Sequence, residues 1–76
     1  MVEIYGATHC NFCKLSKDYC ESNSIEYTYY NMDDGEFNMR ELAERTGKAL
    51  RTVPQIMIDG QYVGGYNDLV NYYKGS

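Results

Sequence analysis

Cys10-Asn11-Phe12-Cys13 places two thiols three positions apart near the start of the chain, just after Val2-Glu3-Ile4-Tyr5-Gly6-Ala7-Thr8-His9. Val2 to Tyr5 reads as a short strand ending at Gly6, and the residues after Cys10 carry a helical period. A Cys pair at a strand-to-helix junction is a far more specific signal than the spacing alone. At a helix start the first Cys meets unpaired backbone N–H groups and the positive end of the helix dipole. Both favour thiolate, the reactive form. The second Cys, about one turn further on, can reach the first to close a small disulfide. The chemistry expected is thiol–disulfide exchange.

Outward from this junction, Asn11 to Glu21 reads as an amphipathic helix. At about 100° per residue, Phe12, Leu15, Ser16, Tyr19 and Cys20 fall on one side with Cys13 at its edge. Lys14, Lys17, Asp18 and Glu21 fall opposite, and Ser22-Asn23-Ser24 ends the helix. Ile25 to Met32, rich in Ile, Tyr and Thr, reads as a second strand. Asp33-Asp34-Gly35 is a turn and the expected N-cap region of a second helix, which Met39, Leu42, Ala43 and Thr46 define and Gly47 ends. Val53-Pro54 precedes a third strand, Gln55-Ile56-Met57-Ile58. Asp59-Gly60 before Gln61-Tyr62-Val63 signals a hairpin. Gly64-Gly65 breaks the chain, and Tyr66 to Lys74 is a final helix with Leu69, Val70, Tyr72 and Tyr73 as core candidates. The order is β-α-β-α-β-β-α, without repeats. The first two strands, joined by a helical crossover, are expected parallel, and the hairpin adds an antiparallel edge strand.

The 76 residues make a single domain near the lower size limit for a self-sufficient core. Hydrophobic content is 43%, in the globular range, with nine Tyr, two Phe and no Trp supplying the bulk. A net charge of −4 argues against a nucleic-acid surface. No apolar run approaches the roughly 20 residues that span a bilayer, and no basic region followed by an apolar stretch suggests a signal peptide. Three Cys is an odd number and not a disulfide framework, so a reducing cytoplasm with a catalytic pair fits best.

This element order, with Cys-x-x-Cys after the first strand, resembles the thioredoxin fold. Three further stretches are similar to glutaredoxins: Thr52-Val53-Pro54-Gln55-Ile56, the Ile58-Asp59-Gly60 hairpin, and Gly64-Gly65-Tyr66-Asn67-Asp68-Leu69. The resemblance covers nearly the whole chain, and the small size suits bacterial or bacteriophage members. It implies an α/β, thioredoxin-like fold, a four-stranded mixed sheet flanked by three helices. It also implies a glutathione-dependent thiol–disulfide oxidoreductase that reduces protein disulfides and glutathione mixed disulfides. Cys10 then attacks and Cys13 resolves. The partners implied are glutathione as co-substrate and disulfide-bearing proteins, ribonucleotide reductase among them by analogy, with a monomer as the working unit and no metal, nucleic acid or membrane.

A free thiol of pKa about 8.5 is only about 3% ionised at pH 7. Lowering that value by about 3 units takes about 4 kcal/mol, more than the roughly 0.3–2 kcal/mol of one helix dipole. Direct N–H bonds to the Cys10 sulfur must contribute. Cys13, one turn inside the helix, is expected to be more buried and less ionised. Cys20 reads as a small core residue. His9 would help hold a thiolate only when protonated. A zinc site of His9, Cys10, Cys13 and Cys20 crowds four ligands onto one turn and one helix, contrary to the usual two ligand pairs on separate loops.

For glutathione, the resemblance implies a cis Val53-Pro54 bond facing the Cys pair, the Val53 backbone pairing with the cysteinyl part. Gly65, Tyr66, Asn67 and Asp68 are implied for the γ-glutamyl end, where a helix start offers N–H groups to a carboxylate. Phe12 and Thr52 complete the set. Many glutaredoxins carry a basic residue three positions before the first Cys, but here it is Ala7. Arg51 is the best remaining cation for the glycyl carboxylate, ahead of Lys48 and Arg40. Asn11-Phe12 also replaces the family's common Pro-Tyr, leaving the site less rigid. Two alternatives stand: a small disulfide reductant fed by thioredoxin reductase, and a [2Fe–2S] cluster carrier bridged through the first Cys and glutathione.

Overall fold

The computed structural model describes residues 1–74. Its elements are β1 (Val2–Gly6), α1 (Asn11–Ser22), β2 (Tyr27–Asn31), a 3-10 turn (Met32–Asp34), α2 (Met39–Thr46), β3 (Gln55–Ile58), β4 (Gln61–Gly64) and α3 (Tyr66–Lys74). The expected order holds throughout. The sheet runs β2-β1-β3-β4. β1 and β2 are parallel, Val2 opposite Tyr27 and Gly6 opposite Asn31. β3 runs antiparallel to β1, and β4 to β3 at the edge.

Strand alternation divides the core between two faces. Val2, Ile4, Ile56 and Ile58 pack with Cys20 of α1 and Leu69 of α3. Tyr5 and Met57 pack on the other face with Phe37 and Leu42. Every residue of β3 is buried, because helices cover the sheet on both sides. Phe37, which the sequence pattern did not single out, precedes the Asn38 N-cap and shares its cluster with Leu42, four positions into α2. That arrangement is a hydrophobic staple.

Several local expectations are corrected. β2 begins at Tyr27, not Ile25, because the chain is still closing α1: the Ile25 N–H donates to the Cys20 carbonyl at 2.8 Å and Ser24 has φ +56°. Met32 leaves the strand for the 3-10 turn, whose N-cap is Asn31. The N-cap of α2 is Asn38, whose Oδ1 accepts from the Glu41 N–H at 2.8 Å, and not a residue of Asp33-Asp34-Gly35. Gly35 instead closes the 3-10 turn in the left-handed region. Gly47 ends α2 as expected.

The buried stripe of α1 is Cys13, Ser16 and Cys20, while Phe12 is 53% and Leu15 43% exposed. Small residues line the side that meets the sheet, and the bulky ones are left at the flanks. The buried Ser16 hydroxyl is satisfied by donating to the Phe12 carbonyl at 2.8 Å. On α3, Leu69 is buried and Val70 half-buried, but Tyr72 and Tyr73 are exposed. The rings stack edge-on at 5.1 Å, and Tyr73 also meets Tyr19 at 6.5 Å. Leu69 and α1 already fill the space beneath α3. Among the described residues no helix is long and apolar enough to cross a membrane.

Candidate active site

Cys10 is the N-cap of α1, held in extended conformation at φ −139° and ψ 109°. Its sulfur takes the place of the usual capping oxygen: Sγ accepts from the Cys13 N–H at 3.2 Å. Its carbonyl receives the Lys14 N–H at 3.2 Å. The first turn carries no acidic side chain, so nothing nearby in α1 opposes negative charge on Sγ. The N–H bond and the helix dipole both stabilise that charge once the pair is reduced.

Cys10 and Cys13 are joined as a disulfide, with Cα atoms 5.2 Å apart. Cys10 is partly open and Cys13 is buried, the difference in burial expected from their places on the helix. Cys20 is buried in the core as a free thiol. Its burial, with a smaller contribution from Glu21, pushes that thiol up, away from the reactive form.

The loop that delivers Cys10 is tied to the end of β2. Tyr29 Oη donates to the Ala7 carbonyl at 3.0 Å, the Thr8 N–H donates to Asp33 Oδ2 at 2.9 Å, and Asn31 Nδ2 donates to Thr8 Oγ1 at 3.0 Å. Burial pushes the Tyr29 phenol up, and Asp33 adds to it. Gly6 is needed for steric reasons. A Cβ there would lie 2.7 Å from Cys13 Sγ and 2.9 Å from Tyr29 Cζ.

The Thr52-Val53-Pro54 loop faces the pair from before β3. The Val53–Pro54 bond is cis, as the resemblance implied. Cys10 Sγ lies 3.7 Å from the Val53 carbonyl oxygen. Thr52 and Val53 form a wall between two grooves. The first, of about 190 Å³, is lined by Phe12 of α1, by Thr52, Val53 and Pro54, and by Gly65, Tyr66, Asn67 and Asp68 at the start of α3. The Phe12 and Tyr66 rings that line it pack together, their centres 5.9 Å apart. Asp68 reaches back to accept the Gly65 N–H at 3.0 Å, and the Gly65 carbonyl accepts from Leu69, so the α3 start is held in register.

The second groove, of about 380 Å³, brings Arg51, Ala7 and His9 beside Cys10, Thr52 and Val53. Arg51 therefore stands apart from the rest of the expected set, across the Thr52–Val53 wall but on the side of Ala7 and the reactive sulfur. Met32 and Met39 line this groove as well and were missed as site residues. Met32 has the local signature of a strand end and Met39 that of a helix-core position. No pattern in the sequence shows that the two meet. Lys48 lies over the Tyr62 ring, 5.8 Å from its centre, and does not line either groove. Among the described residues no group of three or more His, Cys, Asp or Glu side chains is placed to hold a metal ion.

A Cys pair that can open to two thiols and close again, with the more open sulfur capping a helix and the buried one a turn behind it, can exchange electrons with an incoming disulfide. That is the chemistry of the thiol–disulfide oxidoreductases built on the thioredoxin fold, and this chain is one of them. The glutaredoxin family model matches residues 2–63. Glutaredoxin 1 of Escherichia coli strain K12 is 34% identical over 76 residues, covering 93% of this chain and 89% of its own. Glutaredoxin 3 of the same strain is 35% identical over 68 residues, covering 90% of this chain and 80% of its own. The solved structure of reduced Escherichia coli glutaredoxin has a TM-score of 0.85 at 30% identity, covering 99% of this chain and 94% of that one. The chain belongs to the glutaredoxin family.

Proposed function

We propose that residues 1–76 form one glutaredoxin domain that works as a monomer in the cytoplasm and uses glutathione to reduce protein disulfides and glutathione mixed disulfides. The Cys10 thiolate attacks one sulfur of the substrate disulfide. The S–S bond breaks, and its electron pair leaves on the other sulfur as a thiolate that takes up a proton. With a protein disulfide, Cys13 then attacks Cys10 Sγ, releases the reduced partner and leaves the Cys10–Cys13 disulfide. Two glutathione molecules reduce that disulfide in turn and depart as glutathione disulfide. With a glutathione mixed disulfide, free glutathione attacks the sulfur carried on Cys10, and Cys13 is not needed. By family analogy ribonucleotide reductase is a candidate protein substrate.

In this reading glutathione's cysteinyl backbone pairs with Val53, its γ-glutamyl end meets the start of α3 through Gly65, Tyr66, Asn67 and Asp68, and its glycyl carboxylate meets Arg51. Phe12, Thr52 and Pro54 bound the ligand. The observation that carries the reading is that the loop bearing Val53 both approaches Cys10 Sγ, at 3.7 Å, and walls the groove leading to α3. A glutathione reductase-coupled assay on a glutathionylated peptide tests it, run beside a thioredoxin reductase-coupled assay on the same protein. Turnover with glutathione is expected. Turnover with thioredoxin reductase alone overturns the glutathione assignment and leaves the dithiol chemistry in place.

A further inference from the structure

Behind the Thr52–Val53 wall lies a buried polar relay that the redox chemistry does not use. Gln55, the first residue of β3, is 6% exposed. Its Nε2 donates to the Thr52 carbonyl at 2.8 Å and lies 3.4 Å from Thr52 Oγ1. Its Oε1 accepts from the Tyr62 hydroxyl of β4 at 2.6 Å. The chain of donors has one direction: hydroxyl to amide oxygen, amide nitrogen to carbonyl. The Thr52 carbonyl, which can only accept, fixes which end of the amide faces it, and the Tyr62 hydroxyl holds the other end by donating to the amide oxygen. The relay crosses the irregularity between Ile56 and Met57, where pairing of β3 with β4 shifts register. The backbone ladder is weakest there as a guide for the loop that follows Arg51.

We propose that Gln55 and Tyr62 are positioning residues that set the Thr52–Val53 segment, and through it the affinity of the site for the glutathionyl half of a mixed disulfide. Neither residue touches the reacting sulfurs. The second half of this inference rests on the glutathione reading above; the first half does not. The relay acts on where the Thr52 carbonyl stands, and the wall between the two grooves moves with it. Its loss shows as weaker binding at unchanged chemistry.

Two variants and two measurements decide this. Tyr62→Phe removes one hydroxyl and keeps the ring. Gln55→Glu keeps the shape but replaces the nitrogen donor with a carboxylate oxygen. In the free protein, amide NMR shifts of Thr52 and Val53 are expected to move in both variants, while those of Cys13 to Cys20 in α1 stay. Unmoved Thr52 and Val53 shifts overturn the relay, whether or not glutathione is the substrate. With a glutathionylated peptide, Tyr62→Phe is expected to raise KM by about 2- to 12-fold, the ratio one net hydrogen bond provides, with kcat within about twofold. Gln55→Glu is expected to raise KM further. Moved shifts with KM unchanged overturn the link to affinity and leave the relay. Wild-type protein that fails to turn over the glutathionylated peptide overturns the glutathione reading and that link together, and the NMR result still decides the relay.

Discussion

Access separates the two sulfurs of the pair. Cys10 caps α1 at its open end, and Cys13, 1% exposed, lies against Gly6 and the sheet. Cys10→Ser is therefore expected to abolish all disulfide-reducing activity, since no other thiol among the described residues is exposed. Cys13→Ser should keep activity toward glutathione mixed disulfides and lose it toward protein disulfides. Steady-state assays on both substrate types check this, and the opposite pattern would reverse the two roles. Arg51 shares a groove with Cys10 and Ala7, which sets up a second test. A solvated contact to the glycyl carboxylate is worth about 0–1 kcal/mol, and a better-shielded one about 1.5–3 kcal/mol. Arg51→Ala should raise KM for a glutathione mixed disulfide by roughly 2- to 100-fold while sparing reaction with a small neutral disulfide. Ala7→Lys in that background should partly restore it. An unaltered KM in Arg51→Ala would leave this cation without a role.

Element by element, the site depends on how closely α1 approaches β1 and on how α2 begins. A methyl group on Gly6 would press on Cys13 Sγ and the Tyr29 ring from one side and force them apart. Overpacking of this kind costs about 1–3 kcal/mol. Gly6→Ala should lower the denaturant midpoint accordingly and slow Cys13 resolution of a protein mixed disulfide, visible as accumulation of the intermediate. A variant as stable as the parent would mean that α1 can shift freely. The start of α2 depends on Asn38. Asn38→Ala should cost about 1 kcal/mol, within a range of roughly 0.5–2 kcal/mol, read from urea unfolding with an unchanged slope.

For the molecule as a whole, tyrosine is the principal bulky residue, and ionisation is therefore its weak point at high pH. Burial pushes the phenols of Tyr5, Tyr29, Tyr62 and Tyr73 up, and a hydrogen bond to Glu21, followed by burial, pushes Tyr27 up to about 12. In each case folding favours the protonated form. The stability this contributes is fully present below the ordinary tyrosine value of 10.0 and is lost as pH rises through the folded-state values. Unfolding free energy should therefore fall steadily from about pH 10 upward, with Tyr27 among the last to ionise. Urea melts across that range, paired with ultraviolet titration of tyrosinate, check both statements. A flat stability profile above pH 10 would show that these phenols ionise equally well in the folded chain.

The sequence by itself determined the order of elements, the hairpin at Asp59-Gly60, the helix end at Gly47 and the reactive pair at a strand-to-helix junction. These are read from local chemistry: alternation, helical period, turn residues and thiol spacing all act over a few neighbouring positions. Tertiary structure alone decided which helix residues face the sheet. Leu15, Tyr72 and Tyr73 have the apolarity and period of core residues, yet Cys13 and Ser16 fill the narrow space beneath α1, and Leu69 fills that beneath α3. It also decided the start of β2, where the end of α1 holds Ile25 back by a backbone hydrogen bond. The meeting of Arg51, Met32 and Met39 beside Cys10, and the relay from Tyr62 through Gln55 to Thr52, join residues from separate elements. No local pattern encodes such meetings, because they depend on how two faces of one sheet are covered at once.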